Sequence, residues 1–396
     1  MDRRTFLQSA AAGAAMAGTT AAQSPDQPQA GPAPGERQAT NEPVTKVEWR
    51  NKQAGMAYRR LGRTGLMVSE IVSGGDPIRP DNYEHLNLAI EKGLNYLDMA
   101  PAYGRGKCEE AYGKLLTGSA KREKVFLTTK ISGFKELRNR LYQEIFDELP
   151  AEKQKRIMQR AEQTLQAGGA AKPGYFVKYW PGQDREFAPS YLSNAMMPDY
   201  AHRVEGSKEF AEHITNSIEE SLKRVGTDYF DIVMCPHGAC TPEELRLPEI
   251  QATIDRLKQQ GKIRFLGVTS HNDPAAILRT ATEVGYYDLV MMAYNVINGG
   301  YLDHAIQMAA AEDVGVIGMK VAMAVATHHK SLQPIPQWRI DKVDRIVPGE
   351  MKAPMKAYLW ALQNPSVSAV ISNLWDKQFI EENLSLAGKK VELQPA

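Results

Sequence analysis

From residue 71 onward, short uninterrupted apolar runs alternate eight times with helical patterns, and no other feature of the 396-residue chain restricts its fold so tightly. A run that is apolar throughout belongs to a strand covered on both faces, and strands joined by helices pair in parallel. Residues 207–225 show the pattern well. Phe210, Ile214, Ile218, Leu222 and Val225 share one helical face, Gly226 supplies a left-handed stop, and 229–235 follow as a strand. The other strands are expected at 71–73, 96–98, 125–130, 263–269, 289–294, 316–320 and 367–371. Helices are expected at 83–92, 107–116, 302–313, 354–364 and 376–386, with two more ending at Gly261 and Gly285. The last of these opens on Asp273-Pro274, an N-cap followed by proline in the first turn.

Eight strand-helix units fit either a doubly wound sheet or a closed barrel. The first needs a glycine-rich phosphate loop after its first strand, and Ser73-Gly74-Gly75-Asp76 lacks that spacing. Subtracting about 50 leading residues and about 60 of an irregular segment leaves roughly 280, the size of a (β/α)8 TIM barrel. The expected fold class is therefore α/β, a TIM barrel over residues 51–390. Residues 56–61 and 66–68 flank Gly62-Arg63-Thr64-Gly65 as an N-terminal hairpin cap over one barrel end. An insertion, 131–206, follows the third strand. It begins as a charged helical stretch over 135–165 and continues as an aromatic segment broken by Gly and Pro. Its place between a strand and the next helix puts it at the C-terminal, functional face, either over a site or as a contact between copies.

Residues 1–24 carry the Arg3-Arg4 pair, then Phe6-Leu7, a mild Ala/Gly run and small residues before a polar stretch, the layout of a secretory signal. DRRTFLQ resembles a twin-arginine signal, which implies the twin-arginine export machinery as a partner and a periplasmic destination. The apolar run is shorter than the roughly 20 residues that span a bilayer, so no stable membrane insertion is expected. Residues 25–50 read as a flexible linker, rich in Pro, Gly, Gln and Ala. With 48 basic against 47 acidic side chains there is no basic field to attract nucleic acid. Cys108, Cys235 and Cys240 are too few for a disulfide scaffold.

Three consecutive strand ends carry polar groups at the face where barrel enzymes work: Asp98 with Tyr103 just after it, Lys130, and His237. A phenol beside an ammonium has its pKa lowered, so Tyr103 next to Lys130, with Asp98 holding the lysine, is a candidate general acid/base. His237 is placed to orient or polarise a carbonyl. Each also has a plain reading, as a cap, a loop aromatic, a solvated lysine or a satisfied histidine. Their coincidence at three successive strands favours chemistry. Cys235 and Cys240 bracket His237 in CPHGAC; a metal reading of that spacing has no second cluster to support it, and no metal is expected.

These residues carry a resemblance to the aldo-keto reductase superfamily. YRRLGRTGLMVSEI (58–71) is similar to its opening hairpin, and GLNYLDMAPAYGRGKCEEAYGKLL (93–116) to its second strand-helix unit. KVFLTTK (124–130), SIEESLKRVGTDYFDIVMCPH (217–237) and GKIRFLGVTSH (261–271) follow in the same order. The resemblance implies hydride transfer between NADP or NAD and a small-molecule carbonyl or alcohol, a sugar among the candidates. It implies Tyr103 as proton donor, Asp98 and Lys130 as its tuning pair, and His237 as substrate orienter. For the cofactor it points to Ser270 and His271 after the fifth strand, Lys320 after the seventh, and the Glu382-Asn383 pair near the C-terminus. Lys320 reads either as a point charge on the pyrophosphate or as a surface lysine. The cofactor region also departs from the family. His271 stands where Asn is usual, Met291 where Gln would hold the nicotinamide amide, and Gly318-Met319 where a stacking aromatic is usual. Those departures motivate a second hypothesis, a catalytically silent barrel that binds a nucleotide or other ligand.

Overall fold

In a computed structural model, residues 46–395 are described; the expected signal, 1–24, and the linker as far as residue 45 lie outside them. Eleven strands occur in this span, in chain order β1 (Glu48–Trp49), β2 (Tyr58–Arg60), β3 (Leu66–Ser69), β4 (Ile71–Gly74), β5 (Tyr96–Asp98), β6 (Phe126–Lys130), β7 (Phe230–Met234), β8 (Ile263–Ser270), β9 (Leu289–Ala293), β10 (Gly315–Met319) and β11 (Ala369–Ser372). The last eight close into a barrel in which each strand pairs in parallel with the next and β11 returns to β4. All eight lie where the apolar runs place them.

Two layers of core follow from the strand period of two. Val72, Tyr96, Phe126, Ile232, Met234, Leu289, Ile317 and Ala369 fill the barrel. The alternate strand positions, such as Leu97, Leu127, Val233 and Val290, pack outward against the helices. The hairpin β2–β3 pairs antiparallel, and Leu61, Leu66 and Val68 join the barrel-filling group, so the hairpin plugs one end. Gly62 makes that close approach possible: its φ is +48°, and a Cβ there would lie 2.2 Å from the Gly315 nitrogen.

Three features differ from the sequence expectation. The linker ends earlier than residue 50, because β1 pairs with β3 and Arg50 is tied to the barrel base. Its guanidinium donates to the Val125 carbonyl at 2.7 Å and pairs with Asp231 at 3.1 Å. Asp231, fully buried, also meets Arg122 at 3.1 Å and Arg264 at 2.7 Å. The polar composition of 46–50 hid an ionic anchor.

The insertion also holds more helix than expected. The charged stretch is two helices, Phe134–Asp147 and Ala151–Gly168, separated at Pro150, whose extended backbone (φ −57°, ψ 145°) starts the second. The aromatic segment contains a third, Phe187–Val204, that runs through Pro198. There Phe187, Tyr191 and Met196 are buried, so packing overrides the break a proline normally imposes. Within 321–347, where no motif was legible, residues Gln337–Ile346 are helical. Among the described residues no helix is long and apolar enough to cross a membrane.

Candidate active site

Strand ends β5, β6 and β7 bring together the four residues singled out by sequence. Lys130 closes β6 and Asp98 closes β5, both essentially buried, at 1% and 3% side-chain exposure. The Lys130 Nζ donates to Asp98 Oδ1 at 2.5 Å and to the Met99 carbonyl at 2.9 Å. It also lies 4.6 Å from the centre of the Tyr103 ring. His237 stands edge-on to that ring, 5.9 Å between centroids, and its Nδ1 meets the Ser132 hydroxyl at 2.9 Å. When that hydroxyl donates, Nε2 carries the imidazole proton and becomes a neutral donor.

The electrostatics correct one expectation. Lys130 does not lower the Tyr103 pKa; burial, then the charges of Asp98 and Asp76, push the phenol well above its ordinary value. The ammonium faces the ring rather than commanding the hydroxyl, and its charge is answered by Asp98. Burial lifts the Asp98 carboxyl as well, against the pull of Lys130. Tyr103 therefore keeps its proton at neutral pH, the state a proton donor needs. Burial, reinforced by Lys130, Lys135 and Lys320, holds His237 well below the usual histidine range. His271 is lowered in the same way, by burial and then by Lys320 and His237.

Both histidines are neutral in the folded protein and protonate on unfolding below their ordinary value of 6.5. The unfolded state then binds more protons, so stability is fully present above about pH 6.5 and is lost as pH falls below it. The melting temperature is expected to drop between about pH 7.5 and about pH 5.5, and to drop less in a His237→Gln, His271→Gln double variant. Equal slopes in the two proteins would show that these histidines are not held neutral.

The centre opens into a cleft of about 380 Å³ that runs from Asp98 and Tyr103 to Glu382 and Asn383 on the C-terminal helix Lys377–Leu384. Among the expected cofactor residues, His271, Lys320, Glu382 and Asn383 line it. Ser270 does not; its hydroxyl donates to the Ala239 carbonyl at 2.9 Å. Glu382 pairs with Lys352 at 2.7 Å, and Asn383 donates to the Ser372 hydroxyl at 2.9 Å. Lys320 lines the cleft in the left-handed region at φ +58°, so the surface-lysine reading falls. Met291 and Met319 line the cleft too, where hydrogen-bonding and stacking groups were expected from the resemblance.

Sequence reasoning missed Asn373, Trp375 and Phe379, which also line the cleft. The two aromatics are 43% and 41% exposed, and that exposure is what marks them. It also missed Trp180 of the insertion, 4.9 Å from the His271 ring and 5.5 Å from the Lys320 ammonium. The segment that carries it is fastened to the barrel rim. Tyr175 donates to Asp273, Gln183 to Asn272 at 2.8 Å, and Asn295 to the Tyr179 hydroxyl at 2.7 Å. Cys235 and Cys240 are buried free thiols and do not pair. Among the described residues no three His, Cys, Asp or Glu side chains are placed to hold a metal.

A family model described as the aldo/keto reductase family matches residues 67–393. The chain belongs to the aldo/keto reductase family. Members are NAD(P)-dependent oxidoreductases, and this chain is one by that membership. It is 22% identical over 364 residues to an L-galactose dehydrogenase of Arabidopsis thaliana, a match covering 86% of this chain and 88% of that one. It is 24% identical over 269 residues to an aldo-keto reductase of Alternaria alternata, covering 62% of this chain and 59% of the relative. Among solved structures, the holo form of an aldo-keto reductase from Bacillus halodurans superposes with a TM-score of 0.55 at 18% identity, covering 85% and 92%. A Klebsiella pneumoniae aldo-keto reductase in complex with NADPH gives 0.54 at 16%, covering 85% and 91%. At these identities the superpositions show the fold alone.

Proposed function

We propose that the chain transfers hydride between NAD(P)(H) and a carbonyl or alcohol substrate, with Tyr103 as the proton donor in reduction and the acceptor in oxidation. The observation that carries the reading is the buried Lys130–Asp98 pair under the Tyr103 ring, with a neutral His237 at the ring edge and the cleft opening beside them.

The residues present fit a nicotinamide dinucleotide. The cleft carries exposed Trp375 and Phe379 as apolar faces for a planar base, and has Asn373, Glu382 and Asn383 as polar partners. When bound, this cofactor supplies or takes up the hydride. The chain's own residues do the rest. His237 offers an uncharged N–H to the carbonyl oxygen, and Tyr103 delivers its proton to the oxygen as negative charge develops there. Asp98 fixes Lys130 beneath the ring, which keeps the buried ammonium paired and the phenol in one position.

Reduction of members of a carbonyl panel that includes hexoses, followed as loss of reduced-nicotinamide absorbance, is the test. A substrate consumed with kcat/KM at or above about 10⁴ M⁻¹ s⁻¹ is the expected result. Cofactor binding without consumption of any panel member would favour the silent barrel that Met291 and Met319 suggest. We also propose that Arg3-Arg4 and the following apolar run direct twin-arginine export to the periplasm with the cofactor already enclosed. Replacing both arginines with lysine then leaves the protein in the cytoplasm.

A further inference from the structure

Lys320 is a cation without an anion. Among the described residues its ammonium has no carboxylate within 4.0 Å and no hydrogen-bond acceptor, and it lies 5.5 Å from the centre of the Trp180 ring. The other lysines at the cleft are committed, Lys130 to Asp98 at 2.5 Å and Lys352 to Glu382 at 2.7 Å. Leaving a half-buried charge unpaired carries a cost, and burial accordingly pushes the Lys320 ammonium below its ordinary value, against the pull of Asp76. The backbone at Lys320 adds to that cost. A non-glycine residue at φ +58° is strained, and such strain concentrates where a side chain must be held toward a ligand.

The groups that sense the charge of Lys320 are Asp98, His237 and His271 at the proton-transfer centre, together with Lys130, Asp76 and His328, the last packed on Trp375. Glu382 and Asn383 line the same cleft from the C-terminal helix, tied to Lys352 and Ser372. Trp180 from the insertion and the edge-on His271 form the wall beside it. With both histidines neutral and Asp98 occupied, Lys320 supplies the unspent positive charge near Tyr103.

We propose that Lys320, walled by Trp180 and His271, binds a carboxylate on the substrate, so that the site prefers carbonyl or hydroxyl compounds that also carry an acid group, such as 2-oxo acids or uronic acids. This rests on the functional reading above and narrows its substrate class. In the reaction so specified, the carbonyl carbon receives hydride and its oxygen receives the Tyr103 proton. The carboxylate remains intact as a handle, held through a charge-assisted hydrogen bond from Nζ.

The test pairs acids with their neutral counterparts: pyruvate against methylglyoxal, and glucuronate against glucose. Binding is read by calorimetry on the full chain and turnover by kcat/KM. In the wild-type protein at least one acid is expected to be preferred by about tenfold or more. Lys320→Met is expected to abolish that preference, while NADPH affinity stays within about twofold and Lys320→Arg restores part of the preference. Neutral partners preferred or equal in both pairs overturn the proposal. So does a tenfold loss of NADPH affinity in Lys320→Met with acid preference unchanged, which would place Lys320 on the cofactor pyrophosphate. Acids bound preferentially through Lys320 but never turned over would leave the carboxylate site standing and defeat the oxidoreductase reading instead.

Discussion

Tyr103→Phe is expected to lower kcat by about 10²–10⁴ while leaving cofactor affinity and folding stability close to wild type. The phenylalanine keeps the ring that rests 4.6 Å from the Lys130 ammonium and meets His237 edge-on at 5.9 Å. Only the hydroxyl is lost. Among the described residues that hydroxyl has no hydrogen-bond partner in the protein, so its removal strands no donor or acceptor. Because burial and Asp98 hold the phenol protonated, a reducing enzyme loses its proton source and has only water to replace it. Steady-state kinetics on the best panel substrate, with cofactor titration alongside, measures the split. Turnover unchanged in Tyr103→Phe would remove Tyr103 from the mechanism.

Asp231→Ala is expected to cost about 3 kcal/mol of stability, the lower part of the range for breaking a buried ion pair, because its arginines keep partial access to water. The carboxylate is fully buried between Arg50, Arg122 and Arg264, whose side chains are 11%, 15% and 32% exposed, and it accepts the Leu127 N–H at 2.9 Å. Removing it leaves three cations converging on an empty place and an orphan backbone donor. The cluster sits at the strand beginnings, on the opposite barrel end from Tyr103. The folded variant should therefore keep its turnover, while urea unfolding shows a lower midpoint. A variant as stable as wild type would show that the network holds nothing together.

The barrel was legible because its strands are buried on both faces, which forces uninterrupted apolar runs such as those at β7, β8 and β9. The third inserted helix was not, since Pro189 and Pro198 signal a break that Phe187, Tyr191 and Met196 overrule by packing. Asp98, Tyr103, Lys130 and His237 were readable from strand ends alone. The sign of the Tyr103 shift was not: the sequence shows a nearby lysine, but only geometry shows that Asp98 answers its charge and that burial prevails. Trp180 and the isolation of Lys320 are products of tertiary contact across about 140 residues of chain, beyond the reach of any local pattern. Arg50 was hidden for the same reason, its acceptor lying 181 residues away.

If this cleft moves a hydride with Tyr103 supplying the proton, the label of the hydride appears in the alcohol. NADPH carrying deuterium at the transferable position, mixed with the wild-type protein and the best carbonyl substrate, tests it directly by the mass of the alcohol formed. One deuterium on the former carbonyl carbon is expected, with a product yield that collapses in Tyr103→Phe. An alcohol formed without label, or with equal yield in the variant, would contradict it.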